Sequence, residues 1–452
     1  MKKITYIPMT LLSVIISAGT VAKPVSLETL YHDTLNNNPQ LSYSWLDTER
    51  VAKQKDQASA LYQPQIDASL SYGALRNDWT TLTETDGQGA EAKLSIGQNL
   101  FNQELNDANK LADHQVALSL VTHQVAVEGL TLQVANRYFS TLRTQEILKQ
   151  TEATFNAIAE HLKQTKHRFN NGLIAENDVK ETQAQYDLAQ AAVIFAQNDV
   201  EKALDDLYAL SGKSYSGVQS FDLSAVEANT PTPEGFSSWE EKAQTHSPQM
   251  RIQQQVITLS KAQISLAEAG HFPTLGLLAE YRYAFGAKSR IKPMVGEAGA
   301  WGDLDNNATA FAGVAMTLPI YRGGATNSKV EQAKVQYQQA LELREQTWRD
   351  LTRDVRSTEK NLHALSSANR AYQQAVISAE AALAATEQGF DIGSRTIVDV
   401  LNATHQLFAA RQQQSEAEIN YLLAALNLKF LGGELTERDI TAINRLSLRG
   451  DE

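Results

Sequence analysis

The chain has 452 residues, with 52 acidic against 40 basic side chains for a formal net charge of −12, and no cysteine. An acidic chain without a basic tract is unsuited to nucleic acid, and without thiols there is no disulfide framework, thiolate metal site or lipid-modified N-terminal cysteine. Neither a HExxH pair nor a GxxxxGK[ST] loop occurs, and His114 and His123, or His161 and His167, lack ligand spacing, so the sequence predicts no metal, no cofactor and no enzyme.

In chain order, Lys2 and Lys3 lead into the apolar run Leu11 to Ile16 and then small residues up to Ala22. Residues 1–22 therefore read as a secretory signal peptide, too short in its apolar part to span a bilayer. No later stretch approaches about 18 apolar residues, so any membrane-embedded part must be β-structure.

Val25 to Asn37 reads as a short helix, and Asn38-Pro39 restarts the chain with a capping residue and a proline at the first helical position. Ser247-Pro248 repeats the device, and the helices so begun run toward Pro64 and Pro273, which stop them. Beyond each proline the period becomes two: Ile66 to Tyr72 and Leu94 to Leu100, then Leu275 to Tyr283 and Thr309 to Leu318. The polar, glycine-rich segments Gly73 to Ala90 and Gly286 to Asn307 read as loops. Such strands fit a transmembrane barrel with Tyr72, Tyr281, Tyr283 and Phe311 as an interfacial belt, or equally a pair of soluble hairpins packed on helices. Four strands cannot close a barrel, because the smallest have about eight, so the membrane alternative requires several chains to share one.

Long helices follow. Residues 102–170 hold no proline and only Gly129, and residues 325–388 hold neither residue type, which gives roughly 100 Å of helix in each case. Leu111, Leu118, Val125, Leu132 and Phe139, and again Leu341, Trp348, Val355 and Leu362, recur at heptad spacing and predict coiled-coil packing. The helices turn back at Asn171-Gly172 and Ile392-Gly393, and the return helices end at Gly212 and Gly432-Gly433.

One fixed shift that places Gly172 on Gly393 also places Phe169 on Phe390, Asp178 on Asp399, Val179 on Val400 and Gly212 on Gly433. The chain thus reads as two copies of one unit, residues 23–212 with a hairpin at 64–101 and residues 246–433 with a hairpin at 273–321. A linker at 213–245 joins them, and residues 434–452 read as a short polar tail.

The segments Gly393 to Leu401 (GSRTIVDVL) and Leu318 to Gly324 (LPIYRGG), with the duplicated prolines, resemble the TolC family of outer-membrane efflux and type I secretion channels, over essentially the whole mature chain. The resemblance implies a mostly α, α+β membrane protein. Long coiled-coil-like helices would form a trimeric periplasmic α-barrel, continuous with a shared twelve-stranded outer-membrane β-barrel to which each chain gives four strands. It implies the outer membrane of a Gram-negative bacterium, reaching into the periplasm, and contact with outer-membrane lipid. As partners it implies the homotrimer's own copies, a periplasmic adaptor (membrane fusion) protein and an inner-membrane RND, MFS or ABC transporter.

Carried over by motif, Asp399 takes the place of the family's first constriction carboxylate, and the second falls on Asn402, three residues on and on the same helical face. That departure removes one ring of three charges. Arg395 and Asp178 take the places of a link that holds the periplasmic end closed, with Gly172 and Gly393 at the tips of the helix turns. Phe390 stands where the family has a tyrosine that donates to that aspartate, and a phenyl ring cannot donate. The residues also allow a plainer role, since Asp178 and Asp399 sit near helix starts, where a carboxylate is favourable against the helix dipole. The function expected is a passive exit duct for drug efflux or protein secretion, and the alternative is a periplasmic coiled-coil adaptor or scaffold.

Overall fold

A computed structural model describes residues 24–79, 83–172, 174–221, 235–291, 301–303 and 307–447, so the expected signal peptide lies outside the described residues. In order, the elements are α1 (Leu27–Asn37), α2 (Pro39–Ala60), β1 (Gln65–Trp79), β2 (Thr83–Asn102), α3 (Gln103–Asn170), α4 (Glu176–Ser211) and α5 (Phe236–His246). They continue as α6 (Pro248–Glu268), β3 (Thr274–Ile291), β4 (Trp301–Asp303), β5 (Asn307–Thr317), α7 (Ala325–Asp391), α8 (Ile397–Leu431) and α9 (Glu437–Ser447). The chain divides into two compact units, one of Met1–Leu41, Val127–Ala243 and Thr352–Glu452, the other of Ser42–Ala126 and Gln244–Leu351.

The first unit is built on amphipathic helices. Leu27, Leu30 and Tyr31 of α1 join Val134, Tyr138 and Phe139 of α3, Leu207 of α4, Ile419 and Leu426 of α8, and Ile440 and Ile443 of α9 in one buried cluster. The Tyr138 hydroxyl, buried within it, donates to the Gln219 carbonyl at 3.0 Å, and burial holds its pKa above the ordinary value. Where the sequence suggests only a polar tail, α9 packs into this core. Ile440 and Ile443, too few to dominate the composition, are spaced to share one helical face, Leu435 just before the helix joins the same cluster, and Asp439 accepts from the Thr436 amide at 2.8 Å to cap the helix.

Asn38 shows how the chain changes helices. Its side-chain oxygen accepts from the Leu41 amide at 3.0 Å, while its amide group donates to the Leu210 carbonyl at 3.0 Å, and the residue is buried. Asn38→Ala is expected to lower stability by about 1–3 kcal/mol, because it removes a cap and orphans a buried carbonyl; a thermal melt of the purified protein checks this. The matching device at Ser247 differs: its side chain makes no capping bond at the start of α6.

The second unit carries the sheet, in order β1-β2-β3 with β4 and β5 both on the far edge of β3, all neighbours antiparallel. The strands outrun the expected loops. Gly73 pairs with Gly89 and the ladder continues to Trp79 opposite Thr83, while β3 runs on to Ile291 and pairs with Trp301–Asp303. A ladder is made by main-chain groups, so polar and glycine residues extend it although they erase the side-chain period. At the foot of β1, Pro64 bars further helix, and the last carbonyls of α2 are served by a tightened turn, Tyr62 donating to Ser59 at 3.1 Å and Gln63 to Ala60 at 3.0 Å, with the Gln65 side chain also donating to Ala60 at 3.0 Å.

Register separates the two faces of this sheet. Ile66, Ala68, Leu70 and Tyr72 share a face with Ala90, Ala92, Leu94 and Ile96 and with Ala279, Tyr281, Tyr283 and Phe285. The opposite face carries Asp67, Ser69, Ser71, Glu91, Lys93, Ser95, Glu280 and Arg282. There Lys93 pairs with Glu280 at 2.8 Å, and Arg282 reaches both Glu280 at 2.8 Å and Glu91 at 3.5 Å. Phe311 lies opposite Glu280, on this polar face, and so does not share a face with Tyr72, Tyr281 and Tyr283, as a common belt would require. Its ring leans over Gly313, where a Cβ would meet it at 2.9 Å.

The long helices α3 and α7 span 68 and 67 residues. In α7 the expected Val355 and Leu362 are buried, Trp348 is half-buried and Leu341 is exposed, and Val330, Ala333, Ala340 and Leu351 are buried beside them. Ala333 and Ala340 bury without a large side chain to mark them, so a rule that follows large apolar residues finds only part of the buried set.

Candidate functional site

The two helix turns predicted to matter both lie in the first unit. In the turn from α3 to α4, Gly172 adopts φ 72° and its amide donates to the Phe169 carbonyl at 2.8 Å. In the turn from α7 to α8, Gly393 adopts φ 77°, and the Gly389 carbonyl accepts from the Ser394 amide at 2.8 Å, the Arg395 amide at 3.1 Å and Ser394 Oγ at 3.0 Å. Positive φ suits glycine at both tips. Gly389 is fixed by crowding: a Cβ there would stand 2.7 Å from Arg395 Cγ, so the Arg395 side chain lies across it.

Behind the turns is an apolar cluster of Ile158, Ala189, Ile397, Val400 and Leu401, with Phe155, Tyr186, Leu383, Phe390 and Val398 against it. Ile397, Val400 and Leu401 come from the first turns of α8, so the apolar side of the helix that carries Asp399 is anchored there. His161, in α3, is half-buried; burial pushes its pKa below the ordinary 6.5, against the opposing pull of Glu387.

Asp399 completes a capping box with Thr396. Its Oδ2 accepts from the Thr396 amide and from Thr396 Oγ1, each at 2.9 Å, and its own amide donates to Thr396 Oγ1 at 3.3 Å. These bonds, chiefly those to Thr396 and then the nearby Arg395 charge, hold its carboxyl below the ordinary value. Asn402 is exposed on the following turn. Asp178 sits half-buried in the first turn of α4, whose N-cap, Ala175, supplies no side-chain cap, so the two turns are capped differently.

Within the chain, Arg395 and Asp178 are not joined: among the described residues no ion pair links them. The pair that forms across the turns is another one, Arg168 of α3 with Asp391 of α7 at 3.0 Å, and the Arg168 guanidinium lies 4.3 Å from the centre of the Phe390 ring. Phe390, unable to donate a hydrogen bond, packs its face under a cation instead. The Thr396-x-x-Asp399 spacing could have announced the capping box. Nothing in the local pattern announces the Arg168 to Asp391 contact, because its partners are 223 residues apart.

The sequence model of the outer membrane efflux protein family matches residues 30–213 and 239–434. The chain is 35% identical over 457 residues to Outer membrane protein TolC of Vibrio cholerae, covering 96% of this chain and 98% of that protein. It is 32% identical to Outer membrane protein TolC of Escherichia coli, covering 94% of this chain and 86% of that protein. A more distant relative, 24% identical over 91% of this chain and 85% of its own length, is the alkaline protease secretion protein AprF of Pseudomonas aeruginosa. In fold the chain is similar to CusC, with a TM-score of 0.75 at 17% identity over 93% of this chain and 95% of that one. It is also similar to the outer membrane protein VceC of Vibrio cholerae, with a TM-score of 0.71 at 18% identity over 91% of this chain and 97% of that one. The long helices, the antiparallel sheet and these matches together define an outer-membrane channel fold rather than an enzyme. The chain belongs to the outer membrane efflux protein family.

Proposed function

We propose that the protein is a homotrimeric exit duct of the outer membrane, serving tripartite efflux and type I secretion, whose two sequence copies each contribute a hairpin to one shared barrel. The observation that carries this is the two-faced sheet: one face small, aliphatic and aromatic, the other holding a paired set of charges. An apolar outer band and a polar interior are what a membrane barrel needs, whereas hairpins packed on helices would bury the apolar face. Leu70 and Tyr72 are both 74% exposed, so no layer of described residues covers them. The outer edges of β1 and β5 pair with no other strand among the described residues. Open edges are untenable in lipid, and further copies of the chain would satisfy them. The same copies would cover the exposed apolar residues of the long helices, Leu188 and Phe195 on α4 among them.

Such a duct is passive: the sequence has no nucleotide-binding loop, and energy would come from an inner-membrane RND, MFS or ABC transporter acting through a periplasmic adaptor. The helix-turn end is then the gate. Arg395 and Asp178, apart within one chain, would link neighbouring copies in the closed state, and Asp399, one ring of charge with Asn402 neutral beside it, would face the passing cargo. The family match disfavours the second reading, a soluble adaptor or scaffold. Cell fractionation tests the proposal directly: a heat-modifiable trimer in the outer-membrane fraction is expected, and a detergent-free, water-soluble monomer would end it. In planar bilayers, Arg395→Ala or Asp178→Ala is expected to raise the open fraction several-fold, and parental openings in both would remove the pair from the gate.

A further inference from the structure

The two turns are tied together by a residue that no motif singles out. Arg168 occupies the last turn of α3, and both its partners, Phe390 and Asp391, end α7. The contact therefore joins the ends of two long helices immediately before each turns back. On the α7 side its partners are rigidly connected to the next turn, since Gly389 accepts both the Ser394 and Arg395 amides. Moving Phe390 and Asp391 away from α3 would carry Arg395 and Thr396 with them.

We infer that Arg168 is a positioning residue of the gate, a clasp that keeps the α7 to α8 turn docked on α3 while the duct is closed. The inference rests on the gated-duct reading above. An exposed ion pair alone would hold little, but the Arg168 side chain is only 29% exposed and makes two contacts at once, one to a carboxylate and one to an aromatic face. Arginine suits both, because its planar guanidinium stacks as well as donates, and lysine would keep the charge without the stacking. Phenylalanine at 390 leaves the ring face free for this use, with no hydroxyl drawn toward another acceptor. The clasp lies within one chain, so it would act in addition to any link between copies.

The test uses the full-length protein in planar lipid bilayers, with heat-modifiable assembly checked for every variant. Arg168→Ala is expected to raise the open fraction several-fold, Arg168→Lys to fall between it and the parent, and Asp391→Asn, an exposed and nearly isosteric change, to act in the same direction. Combining Arg168→Ala with Asp391→Asn should open the duct no further than Arg168→Ala alone, since both remove one interaction. A conducting parent whose Arg168→Ala and Asp391→Asn variants gate as it does overturns the clasp, and so do effects that simply add. A parent that never conducts overturns the duct reading itself, and the clasp falls with it.

Discussion

Leu70→Arg is expected to remove the protein from the outer membrane. Leu70 sits in mid-β1 between Ala68 and Tyr72, directly opposite Ala92, on the apolar face of the sheet. Its side chain is 74% exposed, so little packing among the described residues is lost when it is replaced. Most of the effect must then come from what lies outside the chain. A lipid-facing arginine near the middle of a membrane strand costs about 2–4 kcal/mol, and a trimer would bear that cost in each copy. Ser69→Arg makes the same chemical change one residue away, on the face of Lys93 and Glu280, and is expected to assemble normally. Outer-membrane fractionation with unheated and heated gel mobility reads both. Equal assembly by the two variants, or failure of Ser69→Arg alone, would reverse the assignment of the faces and with it the barrel.

The contrast between those neighbours also shows what the sequence can say. The apolar alternation of Ile66 to Tyr72 marks a strand, because side-chain period reports which face is shielded from water. It cannot report where the ladder stops, and the segment from Gly73 to Trp79 stays paired without any such period. Phe311 was misassigned for a related reason: an aromatic residue in a strand suggests a belt, but only its register with Glu280 reveals its face. The turns were legible because Gly172 and Gly393 meet a backbone requirement that few other residues satisfy. Around them, the contact of Arg168 with Asp391 is not legible, since a pairing between helix ends distant in sequence leaves no local spacing. The alanine seam of α7 and the packing of α9 were hidden for a shared reason, as small or sparse apolar positions bury well without raising the hydrophobic signal.

Asp399 separates a cap from a charge ring, and the two can be measured apart. Asp399→Asn keeps an acceptor oxygen for the Thr396 amide while removing the charge; Asp399→Ala removes both. If the carboxylates of three copies face one opening, Asp399→Asn is expected to weaken block by divalent cations roughly tenfold or more while leaving the closed state close to parental. Asp399→Ala should weaken block equally and also loosen the start of α8. The pH dependence of the turn has a definite sign. Within one chain the bonds to Thr396 hold this carboxyl below its ordinary 3.8, so the stability it gives the turn is present above that value and lost as pH falls through the depressed one. Crowding of like charges works in the opposite direction and raises the pKa. Block by divalent cations is therefore expected to hold at neutral pH and to fade as falling pH protonates the carboxylate. Block by divalent cations that Asp399→Asn leaves intact would reduce Asp399 to a helix cap and remove it from the opening.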